Sequence, residues 1–556
     1  MVSTQAAREL PTPEPTRMGV LARALPWLLL ALFSVLSWIQ RAPALLTRQD
    51  DARYLGLARA IRMGTYRDFM WPGAPWHHMY PPGFPALLAV WTAIGGERFD
   101  WLIVLHILLA VLALGMTFLA VRRGMSPLIG VLSLAVLAVS PRYIANAGQV
   151  GSEGALALCF AAALWASVAL PDGRRQVVIL VALSMLAPLM RSAGMALPAA
   201  VGLCWLSQRR YRDAAVLTAV GVVVLGALMA WTLADPVTVA GSSYAGDLAL
   251  AKGRHAGFVG LMVRRLLASL DYYLARALPV LLAMPTLEGS IVDNLIGASL
   301  LAIGLLAGTL RSFARFRVAS LLLVMSGLLL AVWPYQQSRF LVPLAPLLVP
   351  IILYGLEALL ARMKPSIATA GITTISLVLM LSGLKETGSV YLATRGCERG
   401  RAIPADNCVS PDQASFFHAA VYVRDSLPKQ ARILSAKSEP LYFYSGHTTL
   451  PTSLWLGRDT TAFWDGLRRE QAEYVLLGAL HVASVRDLAP RLKAHCDALE
   501  VVASFPPHTH LFRITGPAPS RIAACDTLES YRKSVHPAEF SEPVRFSPHP
   551  SERPGR

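Results

Sequence analysis

The sequence predicts a polytopic α-helical membrane protein of about 11 transmembrane helices with a small C-terminal α/β domain. Three observations predict it. Of the 556 residues, 54% are hydrophobic and only 15% charged, and the mean hydropathy is +0.49. Apolar runs approaching roughly 20 residues, the length that spans a bilayer as a helix, recur up to residue 384 and then stop. Basic residues mark every second short connection, the pattern left when cytoplasmic loops alternate with outside ones.

The runs are 21–39, 101–121, 128–139, 154–170, 177–190, 195–206, 214–233, 291–310, 318–333, 340–360 and 367–384. With the N-terminus inside, carrying Arg8, Arg17 and Arg23, the inner loops hold Arg122 and Arg123, Arg174 and Arg175, Arg209, Arg210 and Arg212, Arg311, Arg315 and Arg317, and Arg362 with Lys364. This alternation requires that 277–288 not cross, so an interfacial or re-entrant segment is expected there. The first run lacks a convincing cleavage site and is expected to stay as the first span. Three outside loops follow, 42–100, 140–153 and 234–290. In the last, Leu261, Met262, Leu266, Leu267 and Leu270 set against Arg264, Arg265 and Asp271 predict an amphipathic helix over 258–274 lying in the interface. A net charge of +17 without an arginine-aromatic cluster or nucleic-acid fold signature argues for anionic lipid rather than nucleic acid as the partner.

Residues 1–384 therefore form the membrane domain, 385–516 an external α/β domain, and 517–556 a tail expected to lack fixed structure. Ser410 and Pro411 predict a capped helix running to about Arg424, and 431–436, 474–477, 499–505 and 511–514 read as strands. Cys159 and Cys204 lie in apolar helices. The disulfide candidates Cys397, Cys408, Cys496 and Cys525 all fall in the external part, where an oxidising compartment permits pairing, and Cys397 with Cys408 encloses a loop short enough to staple. Zinc is the competing use, without paired spacing to support it.

The acid pair Asp50 and Asp51 follows the first span in a chain that otherwise avoids charge. Carboxylates at a membrane surface read as functional, although two acids also suit the start of a helix. Arg339 stands at the outer mouth of a run that is nearly free of charge, where its fork suits phosphate oxygens and its stem would also allow snorkelling. Arg191 has the same two readings, with Arg142 behind it. Tyr54, His77, His78 and Tyr80 lie in the first loop, and Glu153 starts the fourth run as a ligand contact or a helix cap. Adjacent histidines such as His77 and His78 do not converge in regular structure, which weakens a metal reading.

The ordered segments Asp50-Asp51-Ala52-Arg53-Tyr54, Met79-Tyr80-Pro81-Pro82-Gly83-Phe84-Pro85, Arg191-Ser192-Ala193-Gly194 and Ser338-Arg339-Phe340-Leu341-Val342-Pro343-Leu344 resemble the GT-C superfamily of membrane glycosyltransferases. The similarity is to the branch with protein O-mannosyltransferases and lipid A aminoarabinose transferases. It implies a GT-C fold and inverting transfer of a hexosyl or pentosyl group from a polyprenyl-phosphate donor to a hydroxyl of a lipid, glycan or protein. The reaction would occur on the outer face of a bacterial inner membrane, with the C-terminal domain periplasmic. Asp50 then aligns with the catalytic base and Asp51 with the acid beside it, while Arg339, Arg191, Arg142, Tyr54, His77, His78, Tyr80 and Glu153 are candidates to bind donor phosphate or substrate. Some relatives carry a lysine before the double proline where this chain has Tyr80, so a phosphate role does not transfer to that position. A divalent cation is possible, since other GT-C enzymes use one, but no convergent ligand set demands it and no metal ligand is assigned. The alternatives are a multispan transporter or lipid flippase, and a noncatalytic scaffold.

Overall fold

The computed structural model describes residues 17–44, 49–233, 258–284, 291–333, 336–397, 403–452, 459–481, 483–516 and 522–535. The first half of the helical body comprises α1 (Arg17–Ile39), α2 (Gln49–Arg62), α3 (Gly83–Gly95), α4 (Phe99–Gly124), α5 (Pro127–Ala138), α6 (Pro141–Ala147), α7 (Glu153–Ala169), α8 (Arg174–Met190), α9 (Ala196–Ser207) and α10 (Tyr211–Leu233). Helices Ile291–Ser312, Arg317–Val332, Ala345–Leu360 and Pro365–Thr394 complete it. All eleven apolar runs are thus helical. Among the described residues four helical stretches pass a length and hydropathy test for crossing, Phe99–Gly124, Tyr211–Trp231, Ser338–Leu360 and Pro365–Thr394. The pair α5 and α6, bent by 69°, is a fifth, and most of the others are shorter apolar helices.

Small residues let the helices approach closely, the packing that substitutes for hydrophobic drive in lipid. Where Ile291–Ser312 crosses Ala345–Leu360, a β-carbon on Gly355 would lie 2.0 Å from the Gly304 carbonyl, so only glycine fits. Alanines serve the same end between α4 and α7, where Ala113, Ala157 and Ala161 cluster.

The segment at 258–274 is a helix, Phe258–Leu270, running into a π-helical stretch, Asp271–Ala277. It packs on Arg317–Val332, with Ser269 and Arg265 donating to the carbonyls of Leu330 and Val332, and leaves Leu266, Leu267 and Leu270 exposed. Beyond it Leu278–Leu281 is one short buried helix whose last carbonyl accepts from Ser140 Oγ at 2.7 Å. The end of the segment expected not to cross, 285–290, lies outside the described residues.

After residue 403 the chain forms a five-stranded sheet from β1 (Ile433–Ser435), β2 (Thr449–Pro451), β3 (Tyr474–Leu477), β4 (Leu499–Phe505) and β5 (Thr509–Ile514), in the order β2-β1-β3-β5-β4. The first three strands are parallel, and β5 is antiparallel to both β3 and β4. Alternating residues face opposite sides, as a pleated strand dictates. Ile433 and Leu476 meet Phe416, Phe417 and Leu441 on one face, while Leu434, Val475 and Leu477 meet Phe463, Leu488 and Tyr531 on the other. Helix Pro411–Ser426 starts with a complete capping box between Ser410 and Gln413. Strand β2 has only three residues and ends in proline, too little pattern to read in advance.

Two expectations are corrected. The tail expected to be unstructured from 517 onward begins instead with a helix, Ile522–Ser534, because Ala524, Leu528, Tyr531 and the following Val535 form a buried apolar stripe against the sheet. Residues 536–556 lie outside the described residues. The structure joins Cys496 to Cys525, with Cα atoms 5.1 Å apart, tying this helix to the start of β4. Cys397 and Cys408 are not joined to each other: their thiols lie against the backbone and side-chain carbonyls of Asn407.

The α/β domain is seated on the first loop of the helical body. Thr449 N donates to the Met70 carbonyl at 3.1 Å, Tyr442 meets Phe69 edge-on, and the Arg59 guanidinium lies 4.4 Å over the Phe443 ring. Arg53 of α2 pairs with Glu439 of helix Ser438–Ser445, both side chains almost wholly enclosed.

Candidate active site

α2 begins with Gln49, Asp50 and Asp51, where negative charge is favoured by the helix dipole. One helical turn on, Arg53 and Tyr54 follow Asp50 at the spacings that share a face. The first turn of α2 thus presents a carboxylate, a guanidinium and a phenol together.

Asp50 is gripped from two sides. Tyr80 donates its hydroxyl to Asp50 Oδ1 at 2.8 Å, and Arg339 Nη1 donates to Oδ2 at 2.5 Å. Arg339 comes from the 3-10 helix Ser338–Leu344, and its Nε donates to Gln337 Oε1 at 2.6 Å. The residue beside it, Phe340, lies between two cations: its ring centre is 5.7 Å from the Arg339 guanidinium carbon and 5.5 Å from that of Arg191. Burial raises the Asp50 pKa, but the charges of Arg339 and Arg191 with the Tyr80 and Arg339 hydrogen bonds outweigh it. The carboxyl is held well below its ordinary range and is ionised.

A second knot lies alongside. Arg191, at the end of α8, donates from Nη1 to Glu153 Oε1 at 2.9 Å and to Ser152 Oγ at 2.8 Å. Ser152 also bonds the Tyr54 hydroxyl at 2.9 Å, and the Tyr54 ring packs 4.9 Å from that of Tyr80. Ser152 thereby links the two knots through Tyr54.

Tyr80 is itself positioned. His77, 2% exposed, has its Nδ1 2.9 Å from Asp68 Oδ2, while its Nε2 accepts the Tyr80 amide at 2.8 Å. The acceptor role at Nε2 puts the proton on Nδ1, where it donates to Asp68, so the imidazole is neutral. Tyr66 Oη donates to the Tyr80 carbonyl at 2.8 Å. These three side chains fix the backbone from which Tyr80 reaches Asp50.

Of the residues singled out in the sequence, Asp50, Arg339, Tyr80, Arg191, Glu153 and Tyr54 converge, and His77 supports them. Asp51 is buried, with Oδ1 accepting the Ala52 amide at 2.7 Å, and lies within electrostatic reach of Tyr444 and Lys437 in the α/β domain. His78 turns away toward Trp231 of α10, ring centres 5.1 Å apart. Arg142 sits on α6, outside this network of hydrogen bonds among the described residues. Sequence reading missed Ser152 and Asp68. The first is adjacent to a chosen residue, but nothing in composition or spacing marks the second.

Among the described residues no three His, Cys, Asp or Glu side chains are grouped to hold a metal ion. Asp50 and Glu153 are each taken up by an arginine, so the acids of this site do not fit a cation.

A bundle of apolar helices whose first long loop carries an ion-paired carboxylate beneath an α/β domain defines a class of membrane protein, and the comparison with solved structures identifies its fold. The chain is similar to ArnT from Cupriavidus metallidurans bound to undecaprenyl phosphate, with 16% identity, 90% of this chain and 100% of that one covered, and a TM-score of 0.52. It is similar also to the oligosaccharyltransferase AglB from Archaeoglobus fulgidus in complex with an inhibitory peptide and a dolichol-phosphate, with 12% identity, 91% and 78% covered, and a TM-score of 0.53. The fold is GT-C. No protein-family model and no curated protein sequence matches the chain.

Proposed function

We propose that this chain is an inverting membrane glycosyltransferase, moving a sugar from a polyprenyl-phosphate donor to a hydroxyl acceptor, with Asp50 as general base. The single observation that carries the reading is Asp50 held between Tyr80 and Arg339 beneath the α/β domain, with Arg191 beside it. The fold supports it, since ArnT and AglB have been solved with polyprenyl-type phosphates bound. We place the site on the outer face of a bacterial inner membrane, with the N-terminus cytoplasmic, from the alternation of basic loops.

The donor phosphate sits against Arg339 and Arg191, whose planar forks match its oxygens. The acceptor hydroxyl gives its proton to the Asp50 carboxylate, and its oxygen attacks the anomeric carbon from the side opposite the phosphate. The carbon–oxygen bond to phosphate breaks, its electron pair leaves with the polyprenyl phosphate, and the anomeric centre inverts. A general base works best with a pKa near the operating pH, whereas the ion pair with Arg339 makes Asp50 a weak one. Donor phosphate competing for Arg339 weakens that pair and places further negative charge nearby. Both effects raise the basicity of Asp50, so donor binding prepares the base before acceptor arrives.

Incubation of the purified protein with a panel of polyprenyl-phosphate sugars, reading release of lipid phosphate, tests the reading. Release with at least one donor is expected. Failure to bind or cleave any of them overturns it.

A further inference from the structure

The α/β domain has a topological switch point between two of its strands, and the residues that leave it lie within electrostatic reach of Asp50. Strands β1 and β3 are parallel neighbours, with Ile433 to Ser435 paired to Tyr474 to Leu476. The chain leaves β1 through helix Ser438–Ser445, whose Leu441 packs on one face of the sheet. It leaves β3 through the segment containing Val485, Leu488 and Leu492, which packs on the other face. Adjacent parallel strands whose connections depart to opposite faces leave a crevice outside their carboxyl ends, the place where open α/β sheets bind ligands.

Two side chains stand in those departing connections. Lys437 follows β1, its amide held by Ser435 Oγ at 3.1 Å, and His481 follows β3. The imidazole Nδ1 of His481 accepts the Ala483 amide at 3.1 Å, so its proton is on Nε2 and available to donate.

The docking of the domain sets where this crevice faces. Glu439 is two residues beyond Lys437 and pairs with Arg53, three residues beyond Asp50, in an enclosed ion pair. Arg53 is also stacked 5.0 Å over Trp71 and 5.7 Å from the Tyr80 ring. This lock brings Lys437 and His481 within electrostatic reach of Asp50, and Lys437 within reach of Asp51 and Arg339 as well. The nearby carboxylates are otherwise engaged: Asp50 by Arg339 and Tyr80, Glu439 by Arg53, Asp51 by the Ala52 amide. Among the described residues no carboxylate lies within ion-pair distance of the Lys437 ammonium.

We propose that the β1–β3 crevice is the second half of the donor site, in which Lys437 binds the phosphate of the polyprenyl-phosphate donor and His481 donates a hydrogen bond beside it. The assignment rests on the donor class proposed above. It makes the α/β domain part of the binding site rather than an appendage: Arg339 and Arg191 reach the phosphate from the helical body and Lys437 from the α/β domain. Burial pushes the Lys437 ammonium below its ordinary pKa although Asp50, Glu439 and Asp51 pull it up, and an arriving phosphate adds negative charge that favours the ammonium further.

The experiment measures binding of a long-chain polyprenyl phosphate, the matching polyprenol and inorganic phosphate to the full-length protein in lipid nanodiscs. Lys437→Gln should weaken polyprenyl-phosphate binding about tenfold or more, while polyprenol binding and the unfolding temperature stay as in the wild type. Lys437→Arg, which keeps the charge, should bind within a few-fold of wild type. Inorganic phosphate should bind far more weakly than the lipid and compete with it. If wild type binds polyprenyl phosphate and Lys437→Gln binds it equally, the crevice assignment is overturned and the donor class stands. Equal loss of polyprenol and polyprenyl-phosphate binding in Lys437→Gln also overturns it, since that assigns Lys437 to structure. If wild type itself prefers inorganic phosphate or binds no polyprenyl phosphate, the donor class is overturned together with the crevice assignment.

Discussion

Glu439→Gln leaves the Arg53 guanidinium buried without its counter-charge. Arg53 is 5% exposed and Glu439 0% exposed, so water does not replace the lost carboxylate. Removing one partner of an enclosed pair costs about 3–5 kcal/mol, with glutamine at the lower end because it still accepts a hydrogen bond. The charge bridges α2 and helix Ser438–Ser445, so much of that cost falls on the docking of the α/β domain rather than on either fold. At 1.4 kcal/mol per factor of ten, docking weakens by roughly two to three and a half orders of magnitude. Hydrogen exchange reads this directly: amides of Ser438–Ser445 and of the first turns of α2 should lose protection, while β1, β3 and the transmembrane helices keep theirs. Turnover should fall with docking. The double variant Arg53→Met with Glu439→Leu removes both charges and should recover much of the protection. Unchanged exchange in Ser438–Ser445 together with unchanged turnover in Glu439→Gln would refute the docking argument.

Arg339→Ala should weaken donor binding by roughly tenfold or more, the worth of a charge-assisted hydrogen bond, and Arg339→Lys by less; equal affinity in the alanine variant would assign Arg339 to snorkelling. Tyr80→Phe removes the hydroxyl that orients Asp50 and should lower turnover by about tenfold at unchanged donor affinity, read from single-turnover kinetics. Burial, with the charge of Lys437, pushes the His481 imidazole from 6.5 down to about 3, and burial pushes His510 from 6.5 to about 4. The unfolded chain therefore binds protons that the folded domain refuses, so stability falls as pH drops from about 6.5 through the window down to the folded values. The slope is on the order of 1.4 kcal/mol per pH unit for each group, and thermal unfolding of His481→Phe should show a shallower loss. In denaturant, Cys397 and Cys408 should label with maleimide directly and Cys496 and Cys525 only after reduction. Reduction should cost the α/β domain roughly 3–4 kcal/mol, given the 29-residue separation that the bond closes.

The helices were legible because burial in lipid writes itself into long apolar runs. Asp50 and Arg339 were legible for the complementary reason: charge at the edge of an apolar segment is costly and stands out. Their contact, across 289 residues of sequence, was not legible, nor was the path from Asp68 through His77 to Tyr80, since hydrogen-bond partners leave no periodicity. Lys437 is one basic residue among 51, and only the topology of the sheet and the Arg53–Glu439 lock give it meaning. The helix Ile522–Ser534 was hidden by a polar average in which three apolar residues at helical spacing, with the following Val535, do the packing.

Asp50→Asn tests the central claim most directly. The substitution keeps the side chain's size and its capacity to accept from Tyr80, and removes the base. Transfer from a polyprenyl-phosphate sugar should fall by about 10²–10⁴-fold, while polyprenyl-phosphate binding persists and the wild-type product carries the inverted anomer. Transfer by Asp50→Asn within a few-fold of wild type, with donor binding intact, would contradict Asp50 as the base.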